Sequence, residues 1–268
     1  MKLTSKRVWL NIIIVLTYVL MIGTNVLANV LPINGQTTGE VSAKYSNLFA
    51  PAGFTFSIWS VIYVLLGLHV LYQLGFFHKE QKPSTARLLT QVGIYFSISS
   101  ILNTLWILAW HYEKLFLSVI LMVGLLLCLI IINKLTAEAS LSLKESFFIK
   151  LPFSIYFGWI TVATIANITA FLVSIEWDGF GLSEVTWTIL ILIIGTIISV
   201  VTMLLRLHNP AYGLAVLWAY FGIYSKHTSE TGFNNQYPAI TQTVIICMIV
   251  LSLTIILVAA GNRRQSKI

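Results

Sequence analysis

Three stripes of aromatic and amide side chains carry the chemistry available to this chain. Trp59 and Tyr63 stand four residues apart, so both rings leave one helix on the same side. Tyr95, Ser99, Asn103, Trp106 and Trp110 follow steps of 4, 4, 3 and 4, a single helical face. Tyr156, Trp159, Ala163 and Asn167 follow steps of 3, 4 and 4. Indole and phenol faces stack on flat apolar molecules, each contact adding about 0.5–1.5 kcal/mol beyond the area it buries. A few amides and hydroxyls among such rings fix a ligand's orientation. The expected chemistry is therefore binding. Trp59, Trp106 and Trp159 stack, Tyr63, Tyr95, Tyr156, Asn103 and Asn167 hydrogen-bond, and Ala163 shares the third wall.

A plainer origin exists for each residue alone. Trp and Tyr form belts at membrane interfaces, and Asn bonds helix to helix. Belts do not place Asn one turn from Trp on the same face in mid-span, and that combination favours a pocket. No GxSxG, HExxH, P-loop or paired-carboxylate pattern occurs, so no catalytic residue and no metal site is expected, nor an ATP-driven pump within this chain. His69 is a lone imidazole on an apolar helix and reads as a packing residue, with axial haem ligation the minor alternative. Cys128 and Cys247 have no partner spacing and read as small apolar fillers.

The elements that must position these side chains are set by the solvent. Apolar residues make up 57% of the chain and charged residues 9%, outside the range of soluble domains. Mean hydropathy is +0.88. Crossing a hydrocarbon core of ~30 Å takes roughly 20 helical residues. Runs of that kind fall at 8–29, 54–76, 88–110, 115–134, 148–174, 185–206, 210–225 and 239–261, the seventh being short. They are continuous and do not alternate with period two, which disfavours a barrel. The expected fold is an all-α membrane protein of eight spans. The first span is read as retained, because its apolar core exceeds the 7–15 residues usual in a signal peptide.

Cations set the expected orientation. With eight spans, Lys2, Lys6, Arg7, Lys79, Lys82, Arg87, Lys134, Lys144, Lys150, Arg206, Arg263, Arg264 and Lys267 share one side, and Lys44, Lys114 and Lys226 the other. Thirteen of the 16 cations on one side is a strong positive-inside bias that puts both termini in the cytoplasm. The net charge of +7 follows from cations at helix ends facing anionic lipid, and a nucleic-acid partner is not expected. No loop can hold a soluble domain. The longest, about 30–53, carries Pro32, Gly35, Gly39 and Pro51 and reads as an ordered cap.

Pro51 followed by Trp59, Tyr63 and Gly67, then Leu102-Asn103-x-x-Trp106, then Tyr156, Trp159, Ala163, Thr164 and Asn167, resembles the TspO/MBR family of tryptophan-rich sensory and translocator proteins. Three motifs in the family's order span roughly residues 8–173. The resemblance implies a five-helix bundle over 1–174 whose ligand cavity is closed by the first loop (Pro32, Pro51, Phe54), with a three-helix extension over 175–268. It also implies a porphyrin or haem-type tetrapyrrole as ligand and a homodimer in a bacterial cell membrane. The first loop lacks the family's Trp-Tyr and double-proline run, and no Tyr followed by Lys or Arg comes after Asn167 within the fifth expected span, where the resemblance would place a sterol-recognition pattern.

The expected function is binding of a flat hydrophobic small molecule, tetrapyrrole-like, for sensing or transport, with membrane lipid and that ligand as partners and no enzymatic activity. Secondary transport of a small hydrophobic or amphipathic solute is the second reading. Tetrapyrrole breakdown ranks last.

Overall fold

The computed structural model describes residues 5–77 and 82–265. Lys2, His78, Lys79, Glu80 and Lys267 of the sequence argument lie outside the described residues, and the side chains of Arg206, Arg263 and Arg264 lie outside the described side chains. The elements are α1 (Ser5–Val30), α2 (Thr38–Lys44), α3 (Ile58–Leu74), α4 (Pro83–His111), α5 (Leu115–Ala137), α6 (Leu143–Glu145), α7 (Leu151–Ser174), α8 (Glu184–Val201), α9 (Pro210–Thr228) and α10 (Pro238–Gln265). No strand occurs among the described residues.

Among the described residues, seven helical stretches are long and apolar enough to cross a membrane: 6–30, 53–74, 83–111, 115–137, 143–174, 184–205 and 238–261. Their outer faces suit acyl chains. Trp9, Leu16 and Val19 of α1 and Ile246, Ile256 and Leu257 of α10 are all exposed, a surface that water would not tolerate. The chain is an all-α membrane protein. The expected seventh span, 210–225, is a helix in the structure (α9) but is not among those seven. Its composition fits its place: Tyr212, Ala215, Val216, Ala219, Tyr220 and Ile223 are all buried, so little of this helix needs to face lipid.

Helix starts follow local chemistry. Pro83 and Pro210 occupy the first turns of α4 and α9, where a missing N–H costs nothing. Asn209 accepts from the Ala211 N–H and Ser183 from the Thr186 N–H, capping α9 and α8. Ser142 and Glu145 form a reciprocal capping box that opens α6 and leads through a π-helical turn (Ser146–Lys150) into α7.

The chain packs as two compact units, Met1–Val41 with Trp59–Phe157, and Ser42–Ile58 with Gly158–Ile268. This division falls inside α7 and is a different cut from the chain-order division at 174/175. In the first unit α4 packs against both α1 and α5. It is 61% buried over its apolar window, against 17% for α1, which makes α4 the central helix of that unit.

In the second unit α10 packs on α8 and α9. Without a hydrophobic drive in lipid, close approach relies on small residues. Gly158 supplies one such contact: a methyl group there would strike the carbonyl of Tyr212 on α9.

Candidate functional site

The first unit gathers five of the expected residues. Trp59 stacks on Tyr63 with ring centroids 5.3 Å apart and planes 22° from parallel. Its other neighbours are Trp106 at 6.3 Å and Tyr156, edge-on, at 5.9 Å. Trp110 continues the row, stacked on Trp106 at 6.1 Å. Helices α3, α4 and the start of α7 thus contribute to one aromatic cluster. Its rings touch one another, and Trp59 and Tyr63 are only half-buried.

A relay of amides runs beneath the rings, and its direction is fixed. The Met21 carbonyl can only accept, so Asn25 presents its amide nitrogen, 2.9 Å away. The same nitrogen donates to Asn103 Oδ1 at 2.7 Å, which turns the Asn103 amide nitrogen toward Tyr156. The Tyr156 hydroxyl then accepts, at 2.9 Å. Its own proton is donated to nothing among the described residues. The Tyr63 hydroxyl is buried and has no hydrogen-bond partner among them either. Two phenol protons beside Trp59 are therefore available to an acceptor. Leaving a buried polar group unpaired costs about 1–3 kcal/mol, which a bound ligand would recover.

Sequence reasoning missed the contribution of α1. The Tyr18 hydroxyl donates to the Tyr63 backbone carbonyl at 2.9 Å. The signal was present: Asn11, Tyr18 and Asn25 recur every seven residues, alternating with Ile14, Met21 and Ala28, which are fully buried. That is a heptad seam with one polar line. Gly67 serves the same contact, since a methyl group there would meet the Tyr18 hydroxyl at 2.7 Å.

The other expected residues fall elsewhere. Tyr95 is half-buried, and no hydrogen bond or ring contact among the described residues ties it to the cluster. Trp159, Ala163 and Asn167 belong to the second unit, where Trp159 is buried edge-on against Phe56 at 5.9 Å and Asn167 is buried as well.

The first loop is divided between the units. Pro32 precedes a tight turn in the first unit, whose Asn34 donates to the His111 carbonyl at 3.0 Å. Trp110 Nε1 donates to the Thr38 carbonyl at 3.3 Å, holding α2 to the end of α4.

Pro51 and Phe54 sit on α9 in the second unit. The Ala52 N–H donates to the Gly222 carbonyl at 3.0 Å, and Phe54 packs edge-on against Trp218 at 5.7 Å. Trp218 Nε1 donates to the Thr55 carbonyl at 2.9 Å. His227 Nε2 reaches the Leu48 carbonyl at 2.9 Å, which makes that nitrogen the protonated one.

His69 is fully buried between Phe96 and Phe153. Its Nδ1–H donates to the Phe148 carbonyl at 2.9 Å, leaving Nε2 without a partner among the described residues. No three His, Cys, Asp or Glu side chains converge as metal ligands among the described residues. Cys128 and Cys247 are free and buried.

The model of the family described as TSPO-like protein matches residues 11–257 of this chain. The chain belongs to that family. The match runs past residue 173, where the sequence motifs end, through α8 and α9 and into α10, so the last helices are part of what the TSPO-like family shares. No curated protein and no solved structure matches.

Proposed function

We propose that this TSPO-like protein binds a flat, apolar small molecule carrying hydrogen-bond acceptors, tetrapyrrole-like in class, and that it senses or moves this molecule without chemically altering it. The observation that carries the reading is the pair of unspent phenol protons, Tyr63 and Tyr156, whose rings both touch Trp59. The relay from Asn25 through Asn103 leaves Tyr156 as a donor, and a carbonyl, carboxyl or imine-type nitrogen of the ligand would accept from it. Because Trp59 and Trp106 stand ring to ring at 6.3 Å, the ligand enters by displacing Trp59 and stacking in its place. The half-buried position of Trp59 supports that movement.

With α9 counted as an eighth crossing beside the seven long apolar helices, the cation distribution supports a cell-membrane protein with both termini in the cytoplasm. A bacterial cell membrane and a homodimer are carried over from the wider family resemblance. Secondary transport has one supporting observation, the unpaired Nε2 of the buried His69, a protonatable group inside a span.

The test is a protoporphyrin titration of the purified protein and of its Tyr63→Phe and Tyr156→Phe variants. Each variant keeps the ring and loses the donor, so each should bind about tenfold more weakly. Unchanged affinity in both would remove the phenols from the site.

A further inference from the structure

Within the second unit, α7, α8 and the loop joining them line a half-open cavity of about 340 Å³. Its size lies in the range of small-molecule clefts, roughly 300–1,000 Å³. Ile165, Ile168 and Leu172 of α7 face Ile191 of α8, with Leu48 and Phe49 also lining it. The neutral polar groups of Trp187, Thr188, Thr169 and Asn47 around it are spent internally. Trp187 Nε1 donates to the Gly179 carbonyl at 2.6 Å, Thr188 to the Glu184 carbonyl at 2.8 Å and Thr169 to the Ile165 carbonyl at 2.9 Å. The Asn47 side chain bridges the Tyr45 carbonyl and the Phe49 N–H.

Beside the Trp177 indole N–H, what remains is charged, and of one sign. Asp178 and Glu184 line the cavity and are exposed. Asp178 uses one oxygen to cap the Phe180 N–H at 3.0 Å. No hydrogen bond is made by the Glu184 carboxylate among the described residues. No Lys or Arg occurs between Lys150 and Arg206, so neither acid has a cation on these helices or their connecting loop. Trp177 and Trp187 also line the cavity, their rings 5.1 Å apart and inclined at 53°. Indole faces beside carboxylates are the surroundings that hold an ammonium group, by cation–π attraction and charge pairing together.

We infer that this cavity binds a lipophilic monocation, an amine or quaternary ammonium whose apolar body lies between α7 and α8 and whose charge rests among Trp177, Trp187, Asp178 and Glu184. The site is separate from the Trp59 cluster and does not depend on the function proposed for it. A neutral body of the same shape would fill the hollow and gain nothing from the acids, which makes charge the discriminating property.

The experiment compares (4-phenylbutyl)trimethylammonium with its uncharged isostere, carbon replacing nitrogen, by saturation-transfer NMR on protein in nanodiscs. The cation should bind about tenfold more tightly than the isostere. Glu184→Gln together with Asp178→Asn should erase that preference, and Leu172→Trp, which fills the hollow, should abolish binding of both probes. Trp59→Phe with Trp106→Phe should change neither. Thermal unfolding of each variant identifies any that fail to fold, and Leu172→Trp tests the site without touching the acids. Equal affinity for cation and isostere would overturn the inference, as would a preference that survives loss of both carboxylates or vanishes with Trp59 and Trp106.

Discussion

The hydroxyl of Tyr18 donates to the backbone carbonyl of Tyr63 at 2.9 Å, joining the first span to the second at the foot of the aromatic cluster. Gly67, one turn beyond Tyr63, leaves the room this contact needs. The glycine that marks the family's motif thus has a physical reason to be here, because it admits a phenol from a neighbouring helix.

Gly67→Ala should therefore destabilise the protein by about 1–3 kcal/mol, the usual cost of overpacking. In a Tyr18→Phe background, which removes the clashing oxygen, the same change should cost far less. Unfolding of the four proteins in a double-mutant cycle measures the coupling, and a coupling near zero would place the Tyr18 hydroxyl away from Gly67.

The relay makes a second pairwise forecast. Asn25→Ala and Asn103→Ala each break the 2.7 Å bond between these residues, so their stability losses should overlap instead of adding. Buried interhelical bonds of this kind are worth about 0.6–2 kcal/mol, and the coupling should fall in that range. Fully additive losses would mean that the two amides do not interact.

These relationships show where the sequence was legible. Continuous apolar runs located the spans, because burying charge in lipid is costly enough to clear those runs of it. Helical spacing alone puts Trp59 beside Tyr63 and Asn103 beside Trp106, and these residues meet Tyr156 in the first unit. The expected convergence of all three stripes is not what the structure shows: Trp159, Ala163 and Asn167 belong to the second unit.

Tyr18 and Asn25 escaped notice because single polar residues in an apolar run read as ordinary span. Only the seven-residue recurrence, seen against its partners, gives them meaning. The docking of residues 48–57 on α9 was not legible at all. Nothing local in Ala52 or Thr55 announces Gly222 and Trp218, more than 160 positions away.

That docking carries a pH forecast. His227 lies just beyond the expected span at 210–225, and burial lowers its affinity for a proton, partly offset by the hydrogen bond to Leu48 and reinforced by Lys226. Its folded pKa is therefore below the unfolded value of 6.5. A depressed pKa means that the contribution is intact above the unfolded value and is lost as pH falls through the folded one. Amide protection factors across residues 48–57, which are corrected for the intrinsic pH dependence of exchange, should fall on acidification, and His227→Gln should flatten that dependence. Protection factors in the wild type that ignore pH would remove His227 as the anchor.

Gly222 supplies a companion test at neutral pH. A methyl group there would collide with the Thr55 side chain, so Gly222→Ala should lift the 52–57 segment from α9. Exchange at Thr55 and Phe56 should rise, and Thr55→Gly should restore protection to the double variant. Protection unchanged in Gly222→Ala would show that the segment has another hold.

The central claim is that the aromatic cluster receives a flat ligand, and quenching of Trp fluorescence by protoporphyrin measures it most directly. Replacing Trp59 and Trp106 by Phe removes the two indoles the ligand would contact while keeping an apolar ring at each position. The account predicts strong, saturable quenching of the wild type and loss of most of it in the double variant. Saturable quenching of wild-type size in the double variant would contradict the account.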